Sequence, residues 1–240
     1  MINRLFLRIL FAFLPFSLLP ESSWSQDTDY QNIFGDNWKK AASFEKENRN
    51  WIEPLLTQNH IPYPVAIAII FPELIRYSAL RDKMEITLLK TLYINLGETY
   101  ANFSIGQFQM KPSFAEMIRE KAPAVIGRRS QIVFKNRSEY DDIKDFRQSI
   151  VSDLEDPEIQ LKYLIVFMKI CEKNYRINRK DEAFRIKFLA TAYNYGFNKS
   201  SEQIENMMGK KYFNTALFRT DNYCYSEVSL FWYNHHQTDK

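Results

Sequence analysis

The strongest apolar pattern in the chain runs over residues 64–78. Isoleucine, valine and alanine fill 65–71 almost without interruption, and a single carboxylate, Glu73, follows directly after Pro72. This pattern predicts a helix that is buried on most sides instead of an amphipathic surface helix. Because proline lacks a backbone N–H and its ring crowds the preceding turn, we expect the helix to kink or end close to Glu73.

Apolar periodicity and capping residues predict further helices. Apolar side chains recur at roughly helical spacing over 37–56, where Pro54 is expected to begin a new turn, and the preceding residues 26–36 read as a polar leader. The other predicted helices are 86–96, buried and stopped by Gly97; 113–119; 156–175, capped by Asp156 and started by Pro157; and 184–195, stopped by Gly196.

Residues 120–155 interrupt this pattern because they are charged and irregular. We expect an inserted loop or a small helical excursion there, with its charges on a solvated face. The aromatic tail at 210–233 is predicted to pack back onto the core. The chain has no repeats and no clear linker, so it divides into a signal peptide at 1–25, a leader and first helix at 26–50, and one mainly α-helical domain at 51–240.

Composition narrows the function classes. The 240 residues include only 6 glycines against 19 phenylalanines and 14 tyrosines, which favours helices with aromatic packing over a turn-rich β-sandwich. The net charge of +3 is spread along the chain instead of forming a basic tail or stripe. We therefore expect no nucleic-acid partner.

The N-terminus has the pattern of a secretory signal peptide. Arg4 and Arg8 precede an apolar run at 9–19, and the Ser-Trp-Ser pattern at 23–25 suits cleavage there. The run is short and interrupted by a proline, which argues against a transmembrane helix, although an uncleaved membrane anchor is the alternative. We expect an exported protein of the periplasm or cell envelope.

Cysteine and histidine give no sign of a metal or cofactor site. Cys171 and Cys224 either pair in an oxidising compartment or are both simply buried, and the sequence leaves these alternatives open. His60, His235 and His236 do not have a metal-ligand spacing. We expect neither a metal nor a cofactor.

Glu73 is the candidate for acid chemistry. Glutamate is rarely buried without a partner, and an apolar setting disfavours its charged form and raises its pKa. A glutamate held in this way keeps a proton near neutral pH and can donate it to a substrate. The alternative is a structural carboxylate on the exposed last turn of the helix, paired with Arg76 at i+3.

The loop at 106–111 is the second candidate. Gln107 and Gln109 alternate with Phe108 and Met110 there. On an extended loop this alternation anchors one face in the core and offers amide hydrogen bonds to a ligand on the other. The alternative is that Gln109 only satisfies buried backbone groups.

Four short stretches, taken in order, resemble the lysozyme-like lytic transglycosylases of the soluble-lytic-transglycosylase branch. They are A-I-I-F-P-E at 68–73, G-Q-F-Q-M-K-P-S-F-A at 106–115, the D-P pair at 156–157 with the apolar residues that follow it, and A-Y-N-Y-G at 192–196. The resemblance covers roughly 51–196. Leu74 stands where the family usually has serine, and Pro72 before the glutamate is unusual for it.

The resemblance implies a mainly α, goose-type-lysozyme-like helical domain with a substrate cleft. It also implies a peptidoglycan lytic transglycosylase that cleaves the β-1,4 bond between N-acetylmuramic acid and N-acetylglucosamine and leaves a 1,6-anhydro sugar. Glu73 would act alone, first as general acid and then as general base. The implied partner is the peptidoglycan glycan strand, bound by a monomer, with envelope machinery as a candidate further partner.

The same resemblance assigns a substrate-binding set around Glu73, made of Ser104, Gly106, Phe108, Gln109, Tyr193 and Asn194. Gln109 and Tyr193 would line the cleft, and Tyr193 would hydrogen-bond the glutamate or the acetamido group. Asn194 would support the loop, Gly106 would let the backbone approach the sugar, and Ser104 would orient the glutamate. Two alternatives stay open. Glu98 as a second carboxylate would give a hydrolase of the same fold, and a non-catalytic glycan-binding or envelope-assembly protein would keep only the cleft.

Overall fold

The protein is mainly helical. The computed structural model describes residues 28–79, 83–127, 130, 132–215 and 222–237, so the predicted signal peptide lies outside the described residues. Ten α-helices and one antiparallel pair of strands occur in this part of the chain: α1 Tyr30–Phe34, α2 Asp36–Gln58, α3 Tyr63–Ala79, α4 Lys83–Leu96, α5 Pro112–Lys121, α6 Ile143–Glu155, α7 Pro157–Tyr175, α8 Glu182–Tyr195, α9 Ser201–Met207, β1 Lys211–Phe213, β2 Tyr223–Cys224 and α10 Tyr225–Gln237.

Helix α3 lies at the centre of the fold. It packs against α2, α8 and α10, and every side chain of 65–71 is buried, as the apolar run predicts. The helix was expected to kink or end near Glu73; it does not end there, because α3 continues to Ala79 with Pro72 inside it. Proline removes the helical bond to the carbonyl of residue 68. At the next residue the Tyr225 hydroxyl, from α10, donates to the carbonyl of Ile69 at 2.9 Å.

The N-terminal prediction is correct for α2 and partly wrong for the leader. Helix α2 runs unbroken with Pro54 inside it, and it contacts α3. Within the predicted leader, the short helix α1 buries Tyr30 and Phe34. Their rings lie against Phe231 and Tyr223 from the aromatic tail, so contacts from distant sequence order a segment that is polar by composition.

Helix α4 is the clearest error in predicted burial. Among its described side chains only Tyr93 is buried, while Leu88 and Leu96 are 61% and 49% exposed. The helix packs against α6, and Leu89, Leu92 and Ile94 are half-buried while Leu88 and Leu96 remain exposed. Apolar density therefore predicted the helix correctly but not how many of its faces are covered.

The segment 120–155 was expected to be an inserted loop or a small helical excursion with its charges on a solvated face. Instead, much of it packs against the rest of the protein. Most of its second half is α6, which packs against α4, α5 and α7. The inner face of α6 is buried through Phe146, Ile150, Val151 and Leu154. The buried Arg119 of α5 donates to Asp153 of α6 at 2.7 Å and to the Tyr163 hydroxyl of α7 at 2.7 Å, which ties the three helices together.

The predicted helices at 156–175 and 184–195 are confirmed as α7 and α8. The Asp156 side chain caps α7 by accepting from the backbone N–H groups of Glu158 and Ile159, and Gly196 ends α8 with φ +130°. The tail packs on the core as expected, since Tyr225 and Trp232 are buried in α10. Cys171 and Cys224 are both buried and free.

No helix in the described ranges is long and apolar enough to cross a membrane.

Candidate active site

A cavity of about 1360 Å³ contains the candidate catalytic carboxylate. Its wall is formed by the C-terminal half of α3, the loop between α4 and α5, the exposed face of α5, the start of α6, and the end of α8 with the residues that follow it. Glu73 and Arg76 come from α3, Tyr193 and Asn194 from α8. Gln109 and Phe114 come from the 106–115 stretch, so three of the four stretches that carry the family resemblance meet at one cavity.

Glu73 is 2% exposed, although it lines this cavity. The Asn194 amide donates to its Oε1 at 2.8 Å, and Nη1 of Arg76 donates to Oε1 at 3.1 Å and to Oε2 at 3.0 Å. Burial away from water raises the pKa of Glu73 above its ordinary value, and the cations Arg76 and Lys111 and the Asn194 hydrogen bond oppose this without cancelling it. A carboxyl with a raised pKa is suited to hold a proton and release it on demand.

The two carboxylate oxygens of Glu73 are not equivalent. Oε1 accepts from both Asn194 and Arg76, whereas Oε2 accepts from Arg76 alone among the described residues. Both lone pairs of Oε1 accept a donor, so a proton there would displace one of the two, whereas Oε2 has a lone pair left. Oε2 is therefore the oxygen better able to carry the proton.

The structural alternative for Glu73 is half right. The predicted i+3 pair with Arg76 exists, with Nη1 to Oε2 at 3.0 Å. The glutamate does not lie on an exposed last turn, because the helix extends six residues beyond it and its side chain is buried. An ion pair in this position restrains the acid as well as neutralising it, so the pair and a catalytic role do not exclude each other.

The predicted extended loop at 106–111 is instead a tight turn. The N–H of Ile105 donates to the carbonyl of Met110 at 2.9 Å, and the N–H of Met110 donates back at 3.1 Å. From α7, the buried Gln160 donates to the Ile105 carbonyl at 2.8 Å and accepts from the N–H of Phe108 at 3.0 Å. The turn is thus fixed to the core by one amide side chain.

Gly106 and Phe108, both expected in the substrate-binding set, pack inside the protein and do not line the cavity. Gly106 has φ +71°, and a Cβ on it would lie 2.2 Å from the Leu154 carbonyl, so glycine is required by packing inside the protein instead of by approach to a sugar. The Phe108 side chain is fully buried, and neither residue lines the cavity. Phe108 is an anchor of the turn, which the alternation with glutamines had predicted.

Gln109 lines the cavity, but its amide is already engaged. Its Nε2 donates to the Gly106 carbonyl at 2.9 Å. Its backbone has φ +51°, a left-handed conformation that residues other than glycine rarely adopt. Gln109 therefore satisfies a backbone group, as the alternative predicts, but it also lines the cavity, where its side-chain oxygen can still accept a hydrogen bond. Ser104 also lines the cavity, without a hydrogen bond to Glu73 in the described structure.

Tyr193 lines the cavity and supports the turn. Its hydroxyl donates to the Phe108 carbonyl at 2.7 Å instead of to Glu73, and its ring packs edge-on against Phe114 and Phe167. Burial raises its pKa well above the ordinary tyrosine value, so it is neutral. Asn194, expected to support the loop, is the residue that contacts Glu73 directly.

Tyr193→Phe is expected to lower the free energy of unfolding by about 1–3 kcal/mol, because the buried Phe108 carbonyl loses its donor. Urea denaturation would measure the loss, with Tyr195→Phe, on the exposed side of the same helix, as the control. A large fall in turnover at wild-type stability would contradict this structural role and assign the hydroxyl to the substrate.

Two cavity residues, Lys111 and Phe114, were not named as site residues from the sequence, although both lie in the 106–115 stretch that carries the resemblance. Lys111, directly before α5, acts on the charge of Glu73 across the cavity, yet it is separated from it by 38 positions in a loop whose path no pattern predicts. Phe114 presents its ring to the cavity beside Tyr193. Apolar periodicity would have assigned Phe114 to the core like any other phenylalanine of a helix.

Among the described residues, no group of three or more histidine, cysteine, aspartate or glutamate side chains could hold a metal ion. Glu73 and its partners Arg76 and Asn194 offer proton transfer, hydrogen bonding and charge. Comparisons with protein-family models, with curated proteins and with solved structures gave no match to this chain.

Proposed function

We propose that this protein is an exported lytic transglycosylase with a lysozyme-like helical domain, which cleaves the bond between N-acetylmuramic acid and N-acetylglucosamine in peptidoglycan. The observation that carries the proposal is the state of Glu73: a nearly inaccessible carboxyl with a raised pKa, at the wall of a cavity of about 1360 Å³. Support also comes from Asn194, which lies in the A-Y-N-Y-G stretch and donates to that carboxyl.

In the proposed reaction Glu73 transfers its proton to the glycosidic oxygen as the bond from that oxygen to C1 of the muramic acid breaks. The departing sugar leaves as an alcohol, and C1 gains oxocarbenium character. The C6 hydroxyl of the same muramic acid then attacks C1, and the Glu73 carboxylate accepts its proton. Atoms and charge balance without an added water, and the acid returns to its starting state.

The surroundings of Glu73 suit both halves of this cycle. Burial favours the protonated form before cleavage. After the proton has left, Arg76 and Asn194 are already oriented toward the carboxylate and stabilise its charge. The Ser104 hydroxyl, the Gln109 side-chain oxygen and the Asn198 amide line the same cavity, where they can bind sugar hydroxyl and acetamido groups.

A hydrolase of the same fold is the second candidate, and one observation favours it. Glu98 lines the same cavity as Glu73, so a second carboxylate is present that could activate a water. A glycan-binding protein without catalysis is the third possibility, and it would use the cavity but not the proton of Glu73.

Digestion of purified peptidoglycan sacculi tests the proposal, with mass spectrometry of the soluble muropeptides. We expect 1,6-anhydromuramoyl ends, and the yield should be unchanged in Glu98→Gln. Reducing ends that disappear in Glu98→Gln would establish the hydrolase instead. If soluble products are absent while the protein still pellets with sacculi, the chain is a binding protein and the proposed reaction is wrong.

A further inference from the structure

The guanidinium of Arg76 is held from three sides. Its Nη1 donates to both oxygens of Glu73, its Nε donates to the carbonyl of Asn214 at 3.3 Å, and its plane lies over the ring of Phe213, 4.6 Å from the ring centroid. Phe213 ends strand β1, and Asn214 follows it. The partner of the acid is therefore fixed by the C-terminal part of the chain as well as by its own helix.

The geometry of the pair limits its strength. Arginine binds carboxylates most strongly with two nitrogens facing two oxygens, which gives two parallel hydrogen bonds. Here a single nitrogen, Nη1, spans both oxygens, and Nε is turned toward Asn214. This arrangement restrains the carboxyl group in position but leaves it able to accept a proton, whereas a full fork would favour the charged form more strongly.

Several other groups around Glu73 act on its charge. Lys111 lowers its pKa from the loop before α5. Tyr193 of α8, Tyr212 of β1 and Tyr225 of α10 interact with the carboxylate electrostatically and are neutral because burial raises their own pKa. Arg76 is the largest opponent of desolvation at Glu73, so its position has more effect on the ionisation of the acid than any of these groups.

We propose that Arg76 is a positioning residue that sets the orientation and the proton affinity of Glu73, and that strand β1, through Phe213 and Asn214, controls Arg76. The expected effect of Arg76 on turnover rests on the proposed function. Its expected effect on the titration of Glu73 does not depend on that function. Glu73 of the central helix is thus controlled from the end of strand β1. Asn214, which follows that strand, is 138 positions from Arg76 in sequence.

The direct test is a titration of the Glu73 carboxyl followed by carbon NMR on protein labelled at glutamate, with its signal assigned by its loss in Glu73→Gln. In Arg76→Met the apolar stem is kept and the charge is removed, so the midpoint for Glu73 should move to higher pH. Arg49→Met is the matched control, because Arg49 also pairs with a glutamate and lies over a tyrosine ring, but in α2 and without contact to Glu73. There the Glu73 midpoint should not move.

The involvement of the strand is tested with Phe213→Leu, which keeps an apolar filling but removes the ring below the guanidinium. Its Glu73 midpoint should move in the same direction as in Arg76→Met, and by less. A wild-type midpoint in Phe213→Leu would show that the strand does not control Arg76. A wild-type midpoint in Arg76→Met would overturn the whole inference, whether or not the protein cleaves glycan.

Kinetics on sacculi provide the second measurement. A misplaced acid lowers kcat, by about a hundredfold for a displacement near 1 Å, with little change in KM. The pH above which turnover falls should also rise in Arg76→Met, since Glu73 stays protonated to higher pH. Arg76→Lys should recover part of kcat. If the midpoint moves as expected but the wild-type protein releases no soluble products, the proposed function fails and the assignment of Arg76 to Glu73 stands.

Discussion

Replacing Glu73 with glutamine is expected to lower the rate of glycan cleavage by about 10²–10⁴-fold, the range that general acid catalysis contributes. The amide cannot release a proton to the leaving oxygen, yet it has nearly the same shape. Its oxygen, in the place of Oε1, can still accept the hydrogen bonds of Asn194 and Arg76. Binding to sacculi should therefore be kept. The measurement is the release of soluble muropeptides alongside a pelleting assay.

Glu120→Gln is the matched control for this experiment, because Glu120 lines the same cavity but is exposed to solvent. Its turnover should equal that of the wild type. Full activity in Glu73→Gln would refute the role of this carboxyl as the acid, and equal losses in both variants would show that the cavity responds to total charge instead of to one proton donor.

The same substitution has a consequence for stability. The folded-state pKa of Glu73 is raised, so the group contributes most favourably at low pH, where it is protonated in both folded and unfolded chains, and that contribution is lost as the pH rises through the folded-state pKa. Glutamine stays neutral at every pH. Glu73→Gln should therefore unfold at a urea concentration equal to or above that of the wild type at neutral pH, with the difference shrinking toward low pH.

The largest loss of stability is expected for Gly106→Ala, at about 2–5 kcal/mol. The new Cβ would meet the Leu154 carbonyl at 2.2 Å and the Gln160 amide at 2.5 Å, and the residue would also have to keep φ +71°. A left-handed backbone costs a non-glycine residue about 1–2 kcal/mol, and overpacking adds about 1–3 kcal/mol. Neither contact can move without disturbing the turn that Gln160 holds.

Gly209→Ala separates these two contributions. Gly209 has φ +81°, and a Cβ there would meet nothing within 4 Å, so only the backbone strain should appear, at about 1–2 kcal/mol. Urea denaturation of both variants measures the difference. Equal losses would mean that the packing of Gly106 against Leu154 and Gln160 does not limit stability.

Much of the fold follows from local sequence signals. The aspartate caps, Pro157 at the start of α7 and Gly196 after α8 act within a few residues, so they are readable from the chain. The burial of α4 was not readable, because the number of covered faces depends on what packs nearby. The continuation of α3 beyond Pro72 also involves a distant group, the hydroxyl of Tyr225.

Some features of the candidate site also follow from local sequence, whereas others depend on contacts between distant residues. The apolar setting of Glu73 and its spacing to Arg76 are local, and both were predicted from the sequence. Gly106 and Phe108 were assigned to the ligand, although contacts with α6 and α7 explain them, because an exposed glycine loop and a buried one look alike in sequence. The link from Asn194 to the Glu73 oxygen required the packing of α8 against α3.

Because the chain is synthesised from its N-terminus, two partners of α3 are added only near the end of synthesis. The carbonyl of Ile69 and the guanidinium of Arg76 receive their partners from Tyr225 and Asn214, separated from them by 156 and 138 positions. Contacts between residues so far apart in sequence require long loops to close first, and this lowers the rate of folding. A nascent chain that stops short of residue 211 would have Glu73, Arg76 and Asn194 but not the groups that hold Arg76. We therefore expect the site to be complete only after β1 and α10 have folded onto α3.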